Sequence, residues 1–141
     1  MMPKLSRFFV KSALVYLVLG ALIAAGALSG AAPLPPAFLA LRPLSWHLMT
    51  VGWATQLIFG VAFWMFPHLS KDSPRGDERL AWAVFWALNL GLAIRAIGEP
   101  AAALWPQALP VALLPLAAVL QVAAVWIFIV ITWPRVKELG R

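Results

Sequence analysis

The sequence contains no cysteine, which excludes disulfides, thiolate metal sites and cysteine nucleophiles. Charge is scarce too: only 11% of the residues are Asp, Glu, Lys or Arg. No Asp, Glu or Lys falls deep inside a long apolar run, which argues against an ion pump or a proton-coupled transporter. Histidine occurs twice, as His47 and His68, and tyrosine once, as Tyr16. What remains is overwhelmingly apolar: 63% of 141 residues are hydrophobic, and the mean hydropathy is +0.89. A water-soluble domain of this size could not hide so much apolar surface, so its solvent must largely be lipid. The net charge of +6 does not indicate nucleic acid, because the basic residues lie in short clusters between long apolar runs.

Four runs meet the requirement of about 20 apolar residues for a membrane-spanning helix: roughly 8–28, 45–66, 80–97 and 109–131. The expected fold is therefore all-α, a single integral membrane domain over 1–141 built as a four-helix bundle. AAPLPPAF, PHLSKDSPRGDER and GEPAAALWPQALP separate the runs. Pro43 and Pro110 suit the first turns of the second and fourth helices, and Pro115 suits a kink. The stretch from Gly30 to Pro36 is a poor cleavage site, so the first run reads as a retained helix. Nine basic residues (Lys4, Arg7, Lys11, Lys71, Arg75, Arg79, Arg135, Lys137 and Arg141) fall on one side, against Arg42 and Arg95 on the other. This bias puts both termini in the cytoplasm and the chain in the inner membrane. Trp105 and Trp133 stand near the boundaries, where an aromatic belt belongs.

Gln56, Asn89 and Gln121 fall near the middles of the last three helices. They are expected to hydrogen-bond between helices, with a polar pathway as the competing reading. Glycines 20, 26, 52, 60 and 91 permit close helix approach. Trp82, Trp86, Asn89 and Ala93 form a stripe suited to a partner helix. His47 heads the second helix at the same level as Arg42, while Arg95 ends the third on that side. An imidazole at the edge of the apolar layer with two guanidinium groups nearby suits a haem, whose iron takes nitrogen and whose propionates take arginine. Alternatively, His47 is an interfacial side chain that meets lipid headgroups. His68 follows it by 21 residues, about 32 Å on a helix, and belongs to the loop at the other end. Met49, two residues on, points away from His47.

The stretch RPLSWHLMTVGWATQLIFGVAFWMFP resembles the second helix of heme-copper oxidase subunit I and of small four-helix homologues of that subunit. His47, Gly52-Trp53, Phe59-Gly60 and Pro67 carry the likeness. The third-helix stretch RLAWAVFWALNLGLAIRAIGEP also resembles those small proteins. The resemblance implies one third of a twelve-helix assembly, rebuilt by a homotrimer, with a b-type haem on His47 and Arg42 and Arg95 at its edge. It further implies a His-x-His pair, but Ser45 stands where the first histidine would be. Capping of the helix start is the expected role of Ser45. The family's copper site, three histidines with one joined to tyrosine, has no counterpart, so oxygen reduction is not implied. The function expected is electron transfer or binding of a small gas such as NO or O2. The alternative is a non-catalytic accessory or assembly subunit of a respiratory or denitrification complex. A small-solute transporter ranks last, for want of intramembrane charge.

Overall fold

The computed structural model describes residues 1–29, 34–71, 74–105 and 110–136. Among them, four helices are long and apolar enough to cross a membrane: α1 (Lys4–Leu28), α2 (Pro36–Met65), α3 (Glu78–Leu104) and α4 (Pro110–Thr132). A short 3-10 turn, Trp133–Arg135, follows α4. The described residues contain no strand. Lys137, Arg141, residues 30–33 and the expected fourth-helix start at 109 lie outside the described residues.

Successive helices run in opposite directions. Lys4, Phe63, Arg75, Glu78 and Trp82 therefore border one cavity, and Arg135 bonds to carbonyls of the chain leaving α2. This end, the basic end, is opposite the one that carries His47. Trp105 and Trp133 are exposed at the two ends, 63% and 75%.

The third helix departs from expectation. Gly98–Leu104 continues α3 instead of forming part of a separator, and Pro100 lies inside the helix. Proline breaks a helix by removing one N–H and crowding the preceding turn. In lipid, however, leaving the helix would strand several backbone groups with no water to satisfy them. One missing bond costs less than a premature exit. The consequence is large: Glu99, which sequence reading leaves in a connection, becomes a buried helical residue at 8% exposure.

The second helix is built in steps. Pro36–Leu39 and Arg42–His47 are α-helical, Leu48–Thr55 is π-helical, and Gln56–Met65 resumes the α-helix. Pro43 occupies the first turn, as expected. Gln56 lies nine positions after His47. At 3.6 residues per turn that is about two and a half turns, which would put them on opposite faces. The wider i→i+5 turns take more residues each, and both side chains reach α3, His47 at Glu99 and Gln56 at Asn89. Thr55 supports the widened segment by donating to the Thr50 carbonyl five residues back, 3.0 Å.

Leu5, Phe9, Phe59, Phe63, Phe85 and Phe128 form the centre of the main core. Phe59 of α2 stacks on Phe128 of α4 with centroids 3.7 Å apart, and Phe9 of α1 meets Phe85 of α3 edge-on at 5.2 Å. Leu44, Leu48 and Leu92 make a smaller core near His47. The outer faces are apolar as well: Leu22, Val119 and Val130 are exposed at 64%, 63% and 64%. Such continuous surface is an aggregation hazard in water and unremarkable in lipid.

Close packing of α3 on α4 depends on Gly91. A Cβ there would lie 2.9 Å from Gln121 Cγ and 3.1 Å from the Ala117 carbonyl oxygen. Gly91→Leu is expected to destabilise the bundle by about 1–3 kcal/mol through overpacking. Unfolding in mixed detergent micelles, followed by tryptophan fluorescence, measures it, and an unchanged midpoint would contradict this packing.

Candidate functional site

The polar residues of the bundle gather in two groups. The first lies at the end opposite the basic one. His47 is the last residue of the α-helical turn begun at Arg42, and its ring turns toward α3. Its Nδ1 lies 2.9 Å from Glu99 Oε1 and 3.2 Å from the Pro43 carbonyl oxygen. Both neighbours are acceptors, so Nδ1 carries a proton, and in the neutral ring Nε2 is then the nitrogen with the lone pair. Nε2 has no partner among the described residues, and the side chain is 32% exposed. Glu99 is held from the other side by Arg95, one turn earlier on α3, whose Nη1 donates to the same Oε1 at 2.9 Å. Arg95 Nε donates to Gln121 Oε1 on α4 at 3.3 Å. One carboxylate oxygen thus joins α2 and α3, and the guanidinium carries the link to α4. Glu99 Oε2 and Gln121 Nε2 are buried without partners among the described residues.

The second group lies nearer mid-bundle. Asn89 Nδ2 donates to Gln56 Oε1 at 3.2 Å, and Gln56 Nε2 donates back to Asn89 Oδ1 at 3.4 Å. Tyr16 donates its hydroxyl to the same Asn89 oxygen at 2.8 Å, bringing in α1. Gln56, Asn89 and Gln121 therefore all hydrogen-bond between helices, the first of their two expected readings. Such bonds contribute about 0.6 kcal/mol each in membrane proteins, so they align the helices more than they stabilise them.

Several expected site residues end up apart. His47 and Arg95 meet on Glu99 Oε1. Arg42 does not join them: it is exposed and borders a groove on the α1 side with Ala24, Leu28, Trp46 and Met49. Met49 packs toward Gly20 of α1, in keeping with its expected direction. His68 is exposed in the connection at the basic end. Ser45 does not cap the helix start. It sits inside the helix, buried, with Oγ donating to the Arg42 carbonyl at 2.7 Å, because the α-helical segment that contains it begins three residues earlier, at Arg42. The stripe on α3 is also divided, since Asn89 turns inward and Trp82 packs edge-on against Phe8 and Phe85, while Trp86 stays exposed.

Sequence reading missed Glu99. The only available signal was its spacing: a glutamate four residues after Arg95 on one helix face. The following proline masked that signal by suggesting that the helix had already ended.

The donor chemistry at His47 fits a haem iron. A carboxylate on Nδ1 orients the ring and leaves Nε2 as the nitrogen facing outward, the arrangement carboxylates give to metal-bound histidines. The enclosure does not fit within one chain. The groove near Arg42 holds about 210 Å³ and does not include His47, whereas sites for drug-sized ligands start near 300 Å³. A macrocycle on Nε2 would need a second surface to cover it. Two of the three Arg95 guanidinium nitrogens are already bonded to the protein. The described residues contain no cluster of three or more His, Asp or Glu able to hold a bare metal ion.

No family model, curated protein or solved structure matches the chain.

Proposed function

We propose that the chain is a haem-binding membrane protein in which His47 Nε2 is an axial ligand, acting in electron transfer or in binding a small gas. One observation carries this reading: His47 is held through Nδ1 by a buried carboxylate while Nε2 remains unengaged at the bundle edge. The haem would supply an iron able to change redox state or take a diatomic ligand. The protein's own part is to orient the imidazole through Glu99, to hold Glu99 through Arg95, and to surround the site with apolar side chains.

The cover missing from one chain suits an oligomer, and the homotrimer suggested by likeness to oxidase subunit I is the form we propose. With the basic end in the cytoplasm, both termini face inward and His47 lies near the opposite surface of the inner membrane. Ser45 cannot stand in for the missing first histidine of a His-x-His pair, because its hydroxyl is buried against the Arg42 carbonyl. Each chain then supplies one ligand.

The small size of the cavities described, about 210 to 290 Å³, favours a second reading, a cofactor-free accessory subunit of a respiratory or denitrification complex. Visible spectra of protein purified in mild detergent after haem supplementation separate the two. The expected result is a Soret band that His47→Ala abolishes while the helical circular dichroism persists. Folded wild-type protein without a chromophore would establish the accessory reading. Native mass spectrometry tests the trimer, and a monomer carrying haem would overturn it.

A further inference from the structure

The basic end carries features that the His47 site does not use. A cavity of about 290 Å³ opens there, with Lys4, Arg75 and Glu78 on its polar side and Leu5, Phe63 and Trp82 on its apolar side. Arg75 Nε is buried and has no acceptor among the described residues. Arg135, fully buried, lies beside the wall of the same cavity, with its guanidinium 5.3 Å from the centroid of Phe63. It spends Nε and Nη2 on backbone carbonyls, and its Nη1 is also buried without an acceptor. Burial is the larger penalty on its charge, and the positive charge of Arg75 adds to it.

A buried guanidinium N–H without an acceptor is costly, and a second guanidinium behind the cavity wall adds to the demand for negative charge there. Glu78 does not supply the acceptor: the carboxylate is exposed and forms no ion pair among the described residues. It stands in the first turn of α3, where the helix dipole favours negative charge.

We infer that this cavity binds a phosphate-type oxyanion, the headgroup of an anionic phospholipid, on the free Nε–H of Arg75 with Lys4 beside it, while Arg135 adds positive charge from behind the Phe63 wall. Free phosphate offers the same oxygens but would leave the apolar half of the cavity unused. A lipid uses both halves. Leu5, Phe63 and Trp82 lead from the cationic groups toward the exposed flanks of α1 and α3, where Phe8 and Leu80 are 52% and 42% exposed. The position suits an acyl chain as well, since Lys4 and Glu78 begin two spans and Phe63 is near the end of a third. Basic pockets between helix ends are a general mode of recognising anionic lipid headgroups.

The test uses the full chain purified in mild detergent, with lipid retention read by native mass spectrometry and stability read by thermal unfolding. Phosphatidylglycerol is expected to stay bound and raise the unfolding temperature, whereas phosphatidylcholine does neither. Arg75→Gln should weaken phosphatidylglycerol binding about fivefold, the effect of one basic residue at an anionic membrane surface. Its unfolding temperature without lipid should be no lower than that of wild type, since the Arg75 guanidinium makes no hydrogen bond or ion pair among the described residues. Arg79→Gln, an exposed cation at the same end but outside the cavity, should change binding less than about twofold. Arg135 stays intact throughout because it also holds α2. Equal retention of the two lipids, or equal losses in the two variants, would overturn the site. Displacement of phosphatidylglycerol by inorganic phosphate would overturn the lipid as the source of the oxyanion.

Discussion

Glu99→Ala is expected to destabilise the purified chain by about 3–5 kcal/mol, the range for breaking a buried ion pair by removing one partner. The Arg95 side chain is only 16% exposed, and its Nη1 would lose its sole carboxylate acceptor in surroundings with little water. The loss also frees His47, whose Nδ1 would retain only the longer contact to the Pro43 carbonyl. Glu99→Gln keeps one acceptor oxygen in place and should lose less than half as much. An Arg95→Met/Glu99→Met double variant should return close to wild-type stability, because a buried pair can be replaced by apolar side chains of similar volume at little cost. Chemical unfolding in mixed micelles reads all four proteins. If Glu99→Ala unfolds at the wild-type midpoint, the contact at 2.9 Å does not carry the energy assigned to it.

Arg135→Ala should be comparably damaging, by about 3 kcal/mol or more, given that hydrogen bonds from charged donors contribute roughly 1.5–3 kcal/mol each and are not fully additive. Pro67 draws Phe66 into extended backbone, ψ 145°, and so ends α2. The carbonyls left without helical partners are then met from α4. Arg135 donates from Nη2 to Phe63 and Phe66, at 2.9 and 2.8 Å, and from Nε to Pro67 at 3.0 Å. A single ammonium cannot reproduce that fork, so Arg135→Lys should recover less than half of the loss. Amide hydrogen exchange should rise first around residues 63–69 in both variants. Faster exchange at the His47 end alone would refute this account of how α2 is closed.

Arg135 shows what kind of information a linear reading carries. As one of nine basic residues on one side, it contributes to the expected orientation, and that inference needs only its charge and its place in the chain. Its role as a fully buried clasp on another helix depends on the antiparallel return of α4 beside the end of α2. Glu99 is the sharper case. The tendency of proline to end helices is reliable in water, where the released backbone finds solvent. It fails beside Pro100 because lipid offers no such alternative. The Ser45 expectation failed because its α-helical segment starts earlier, at Arg42, which leaves Ser45 inside it.

Hydropathy and run length alone determined that this chain is all-helical, with four helices long and apolar enough to cross a membrane, because covering a bilayer requires nothing but enough consecutive apolar side chains. His47 also stood out unaided, being one of two histidines and heading an apolar run. The company it keeps was decided by tertiary structure. Glu99 lies 52 positions away in sequence, brought within 2.9 Å by continuation of α3 through Pro100 and by the π-helical turns that direct both His47 and Gln56 toward α3. Neither feature leaves a periodic trace in the sequence, since each is a departure from the regular helix on which periodicity depends.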